Sequence, residues 1–79
     1  MKTKVKTREE LIDEWDREAK VNRYLWEGAA ISIRNTLRQH TLEAALLILQ
    51  TNAKACRKMA IHVFYARAIR DVKTALKAK

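Results

Sequence analysis

The sequence predicts an all-α fold, built as a small bundle of four helical segments. One glycine and no proline in 79 residues leave few residues for the tight turns that a sheet-rich fold needs. Apolar residues recur at helical spacing through most of the chain. The apolar content of 48% is ordinary for a globular chain and too high for a disordered one. We expect a flexible basic arm at residues 1–7 and a single helical domain at residues 8–79.

The first helix is predicted over residues 8–27. Thr7 and Glu10 match the capping-box pattern, in which each side chain accepts a hydrogen bond from the backbone amide of the other residue. Gly28 is the single glycine and is expected to end the helix. Tyr24 lies off the apolar stripe and is a candidate interface anchor. The stripe itself, which predicts the core-facing side, contains Leu11, Ile12, Trp15, Ala19 and Trp26.

Two shorter helices are predicted at residues 29–39 and 42–50. Thr41 is suited to cap the second of them, and the alternative is one long helix over residues 29–50. The segment at 42–50 is apolar on nearly all sides, as is typical of a central buried helix. The apolar side of the segment at 29–39 contains Ala30, Ile33 and Leu37.

The last helix is predicted over residues 53–78, with Asn52 as its cap. At about 100° per residue, the apolar faces of its two halves have centres that differ by roughly 160°. Either the helix breaks near residues 65–67, or one continuous helix packs one half on its own domain and the other half on a second body. The first face contains Cys56, Met59, Ala60, Val63 and Phe64, and the second contains Ile69, Val72, Ala75 and Leu76.

A partner chain would serve as that second body. A chain of this length has a thin stability margin, and oligomerisation is a common remedy for a small core. We therefore expect at least a homodimer that uses the long C-terminal helix. The predicted interface residues are Val63, Ile69, Val72 and Leu76.

The net charge of +8 is unevenly distributed along the chain. Residues 1–8 carry four bases, residues 9–27 carry seven acids and three bases, and residues 28–79 carry ten bases and two acids. A basic body of this kind can bind nucleic acid without sequence preference. The alternative is a solvated surface with the acidic helix lying against a basic one. The predicted nucleic-acid contacts are Lys54, Arg57, Lys58, Arg70, Lys73 and Lys77.

These bases fall into two groups. A helix-turn-helix around residues 51–52 would present Lys54, Arg57 and Lys58 on its second helix, with Asn52 as the one obvious base-reading amide. A basic face over the last three turns is the better candidate for phosphate contacts, and Asp71 is the single acid that interrupts it. That face contains Arg67, Arg70, Lys73 and Lys77.

The sequence predicts no enzyme, cofactor or metal site. His40 and His62 are 22 residues apart and have no paired carboxylate nearby in the sequence. Cys56, the single cysteine, cannot form an intrachain disulfide and is expected to be a small buried hydrophobe. The longest apolar run, at residues 44–49, is far shorter than the ~20 residues of a membrane span. We expect no membrane or small-molecule partner, and a cytoplasmic location because no signal-peptide pattern is present.

The chain resembles the small all-helical antirepressor proteins of temperate phages of enteric bacteria. The likeness lies in the size, the single-domain helical layout and the capped acidic first helix at residues 7–27, which includes Trp15-Asp16-Arg17-Glu18. The resemblance implies a homo-oligomer that grips a phage repressor and removes it from its operator.

We therefore expect a regulatory binding protein that acts on a DNA-bound transcription factor through protein–protein contacts. A non-sequence-specific DNA- or RNA-binding protein is the alternative, and a toxin–antitoxin or other inhibitory module is a third interpretation. Aromatic residues and arginine dominate the energetics of protein interfaces. The predicted protein-binding residues are Tyr24, Trp26, Arg34, Tyr65, Arg67 and Arg70.

Overall fold

The computed structural model describes residues 5–21 and 28–78, and all of its regular structure is helical. The all-α prediction is confirmed, because these residues form four helices and no strand. None of the four is both long enough and apolar enough to cross a bilayer. The predicted contacts Tyr24 and Trp26 lie outside the described residues. The helices are α1 (Arg8–Val21), α2 (Ala29–Gln39), α3 (Leu42–Ala55) and α4 (Met59–Lys77).

The helices form two antiparallel hairpins. In the first hairpin, the Arg8 guanidinium donates to the backbone carbonyl of Arg38 at 2.8 Å, which joins the start of α1 to the end of α2. Halfway along, Arg34 of α2 reaches Asp16 of α1 at 3.0 Å. The second hairpin is α3 and α4, which are joined by residues 56–58. They run in opposite directions, because the start of α3 (Leu42) and the end of α4 (Ala75) line the same cavity.

Two side-chain caps define where α1 and α3 begin. The capping box is confirmed: the Thr7 hydroxyl accepts from the Glu10 amide at 3.2 Å, and the Glu10 carboxylate accepts from the Thr7 amide at 2.9 Å. The Thr41 hydroxyl accepts from the Ala44 amide at 3.2 Å. Because α2 ends before this cap, the alternative of one helix over residues 29–50 is wrong.

The boundary predicted at Asn52 is also wrong, because Asn52 lies inside α3. The Cys56 amide closes the end of this helix by donating to the Asn52 carbonyl at 3.0 Å, and the chain turns at residues 56–58. Cys56 is therefore a half-buried turn residue and not a buried hydrophobe on a helix face. The helix-turn-helix predicted around residues 51–52 is therefore wrong, because α3 is continuous through both residues.

Both hairpins contribute to one core. Trp15 of α1 and the α2 residues Ile33 and Leu37 are fully buried, as the apolar stripes predicted. In α3, however, Leu47 is 66% exposed, so the prediction of burial on all sides is wrong. A helix at the edge of a two-hairpin bundle has only one face in the core. The buried residues of α3 are Leu42, Ala45, Leu49 and Ala53.

The change of apolar face in α4 is explained without a bend. The helix is continuous through residues 65–67, and it buries the second predicted face in its own domain. Val72 has no exposed surface, so it is not available to a second chain, while Ile69 and Leu76 pack partly buried against the core. The first face is split. Phe64 packs on the ring of Trp15, whereas Met59 and Val63 are 79% and 56% exposed.

Leu49 and Leu47 provide a matched test of this arrangement of α3. Leu49→Ala should lower the free energy of unfolding by about 2–5 kcal/mol, because it leaves a cavity in the core. Leu47→Ala removes the same atoms from an exposed side chain and should change it by less than about 0.5 kcal/mol. Urea denaturation followed by circular dichroism measures both. Equal losses for the two variants would contradict the packing of α3.

Candidate nucleic-acid interface

The acids of α1 neutralise only part of the basic charge. Asp16 pairs with Arg34 of α2 at 3.0 Å and with Lys20 in its own helix at 3.4 Å. Lys6, in the segment before α1, binds Glu14 and also reaches Asp71 of α4 at 3.6 Å. The Asp16–Arg34 pair joins α1 to α2, and Lys6 joins the segment before α1 to one flank of α4.

Two of these pairs shift pKa values in the directions expected for ion pairs. The carboxylate of Glu14 beside Lys6 raises the pKa of the lysine above its ordinary value of 10.5. The Arg34 guanidinium lowers the pKa of Asp16 below its ordinary value of 3.8. Both groups therefore remain charged at neutral pH, and both serve internal contacts.

Arg67 also points inward, towards α1. Its guanidinium binds Glu18, lies 3.5 Å from Glu14, and stacks over the Trp15 ring with 4.3 Å between its carbon and the ring centroid. Packing over an aromatic face combined with a charge-assisted hydrogen bond strengthens such a contact. Arg67 therefore fixes α4 against α1, and it is not part of an outward basic face.

The other three bases of the predicted C-terminal face line one groove on α4. Arg70, Lys73 and Lys77 are all exposed there. Asp71, the acid that interrupts this face in the sequence, is turned to the other flank, where it meets Lys6. The groove has a volume of about 440 Å³, and among the described residues no carboxylate lines it. Its lining residues are Ala53, His62, Ala66, Ile69, Arg70, Lys73, Thr74 and Lys77.

The remaining predicted bases lie around the turn between α3 and α4. Lys54 is in the last turn of α3, and Arg57 and Lys58 are in the connection, so these three do not share a recognition helix as predicted. All three are exposed. Within residues 5–21 and 28–78, none of the six predicted nucleic-acid residues takes part in a salt bridge. We call these six residues the basic surface.

Most of the described residues predicted to bind a protein partner are buried or held in ion pairs. Arg34 and Arg67 are held by the acids of α1. Tyr65 is 7% exposed, and its hydroxyl lies 3.4 Å from the Ser32 hydroxyl of α2. Of the predicted set, only Arg70 is an exposed residue in the described part of the chain, and it also belongs to the basic surface. The structure therefore does not bring the described members of this set onto one exposed surface.

His62 lines the groove, although the sequence predicts no binding role for it. One ring nitrogen, Nδ1, lies 3.2 Å from the backbone carbonyl oxygen of Ala53 in α3. The sequence did contain a signal for this placement: His62 precedes Lys73 by three helical turns, so the two residues share a side of any continuous helix.

Comparison of the chain with protein-family models, curated protein sequences and solved structures finds no match. The resemblance to phage antirepressors therefore stays a prediction.

The internal role of Arg67 can be separated from the outward role of Arg70. Arg67→Met keeps the aliphatic contact with Trp15 and leaves Glu18 without this cation, so the free energy of unfolding should fall by about 1–2 kcal/mol. The buried Nε of Arg67 has no hydrogen-bond partner in the described structure, which keeps the expected loss modest.

Arg70→Met is the matched control, since it makes the same change on the same helix at an exposed position. It should change stability by less than about 0.5 kcal/mol in the same urea titration. If the two variants were equally stable, Arg67 would not hold α4 on α1.

Proposed function

We propose that this protein binds nucleic acid through the phosphate backbone, without sequence preference, using the basic surface. The observation that carries the proposal is the contrast between the basic residues that pair with acids and those that do not. Arg34, Arg67 and Lys6 are engaged by acids of their own chain. The six residues of the basic surface are exposed and form no salt bridge among the described residues.

The layout of the basic surface fits a polyanion. It extends from the turn at residues 57–58 to Lys77, which is about 30 Å along a helix axis. That length covers roughly nine base pairs of duplex, at about 3.4 Å for each. Arginine and lysine side chains that meet phosphates neutralise them and release counterions, which gives affinity but does not depend on the base sequence.

A salt titration tests the proposal. The anisotropy of a labelled mixed-sequence duplex should report micromolar binding at about 50 mM salt, weakening by about 10³-fold at about 200 mM if all six cations meet phosphates. Arg70→Gln combined with Lys73→Gln should flatten the dependence of log affinity on log salt by about 1.8, because each lost contact accounts for about 0.9.

Arg17→Gln combined with Arg38→Gln is the control of equal charge change. Both arginines are exposed on the N-terminal hairpin, away from the groove. This control should leave the slope close to that of the wild type. The absence of binding to duplex and to single-stranded RNA at low salt would overturn the proposal, and equal effects of the two double variants would show that net charge alone is responsible.

A second candidate is regulatory protein binding, with self-association and a DNA-bound repressor as the partner. The observation that favours it is the exposure of Met59 and Val63, two apolar residues that lie about one turn apart on α4. Exposed apolar residues on one helix face are typical of contacts with another protein. The choice of a repressor as partner is supported by the sequence resemblance alone.

Sedimentation equilibrium at micromolar concentration tests self-association. The wild type should sediment as a dimer, and Val63→Asp should shift it towards the monomer, because a charge would be buried in the interface. Val21→Asp, on α1, makes the same change at a residue that is 77% exposed and should leave the dimer intact. A monomeric wild type would rule out the dimer.

A further inference from the structure

His62 lines the groove on α4 but is not one of the six residues of the basic surface. It lies on the first turns of α4, and its Nδ1 meets the carbonyl oxygen of Ala53 at 3.2 Å. A carbonyl oxygen only accepts hydrogen bonds, so Nδ1 must carry the proton of this contact. In the neutral ring, the second nitrogen, Nε2, is therefore an acceptor, and it becomes a donor only when the ring is protonated.

The charged side chains that line the groove are all cationic. On α4 the groove contains Arg70, Lys73 and Lys77. Along the chain, the charged residues between Ala53 and His62 are Lys54, Arg57 and Lys58, and all three are exposed. Among the described residues that line the groove there is no carboxylate to pair with a protonated imidazole. A negative charge on a bound ligand is the group that would meet it.

We propose that His62 is a phosphate-binding residue of the basic groove and that it binds in its protonated form. In this form both ring nitrogens are donors, Nδ1 to the Ala53 carbonyl and Nε2 to the phosphate. His62 lies about 12 Å along the helix axis from Arg70, so the two residues contact different phosphates. This inference rests on the proposed function and names the pH-dependent part of the same site.

The test is the duplex titration at constant salt, performed at about pH 6 and about pH 8, the range in which an ordinary imidazole changes charge. Backbone phosphates keep their charge over this range. Wild-type affinity should be about three- to tenfold higher at the lower pH, the effect of adding one charge-assisted contact.

His62→Asn retains a donor near the position of Nδ1, and therefore the contact with Ala53, but it cannot become a cation. It should bind with the same affinity at both pH values. His62→Arg places a permanent charge at this position; its affinity should also be independent of pH, and at the higher pH it should exceed that of the wild type. Thermal melts of both variants establish that the fold is retained.

His40→Asn is the matched control, since His40 lies at the end of α2 and does not line the groove. It should keep the full pH dependence of the wild type. If His62→Asn kept that dependence as well, the role of His62 would be overturned while the proposed function stood. If the wild type bound no duplex at either pH, the proposed function would fail, and the role of His62 with it.

Discussion

The contact of Arg67 with α1, together with the burial of Ala68, Val72 and Ala75 in the core, sets which side of α4 faces outward. Its guanidinium is held between the Trp15 ring and the carboxylates of Glu14 and Glu18. A helix turns by about 100° per residue, so fixing one side chain fixes the direction of the others. Asp71, four residues later, follows Arg67 to the same flank and reaches Lys6. Arg70 and Lys73 are left on the other flank, in the groove.

This arrangement separates the charge of the molecule into an internal part and a displayed part. The acids of α1 hold Arg34, Arg67 and Lys6, and these pairs join elements of the fold. The bases at the end of α3, in the turn and along the groove are exposed. The sequence posed a choice between a basic binding surface and an acidic helix lying against a basic one. The acidic helix does lie against basic residues of its own chain, and a different set of basic residues is exposed.

The candidate site was therefore only partly visible in the sequence. A helical wheel groups Arg67 with Arg70 because it uses only the residue types of one helix and their angles about its axis. It contains nothing about α1, whose acids and Trp15 draw Arg67 away from that group. For the same reason the sequence predicts Tyr65 as an interface anchor, whereas the structure buries it against α2. The chemistry of His62 depends on the carbonyl of Ala53, which is brought near only by the turn between α3 and α4.

By itself, the sequence determined the helical class, the caps at Thr7 and Thr41, and the core faces of α1 and α2. These features depend on residues a few positions apart, so local spacing is enough to read them. Only the tertiary structure decided where α3 ends and which face of α4 is buried. No glycine or proline marks the turn at residues 56–58, and that boundary reflects the packing of two helices into a shared core. The positions of the groove and of its charges follow from that packing, because the packing decides which basic residues of α4 meet the acids of α1 and which line the groove.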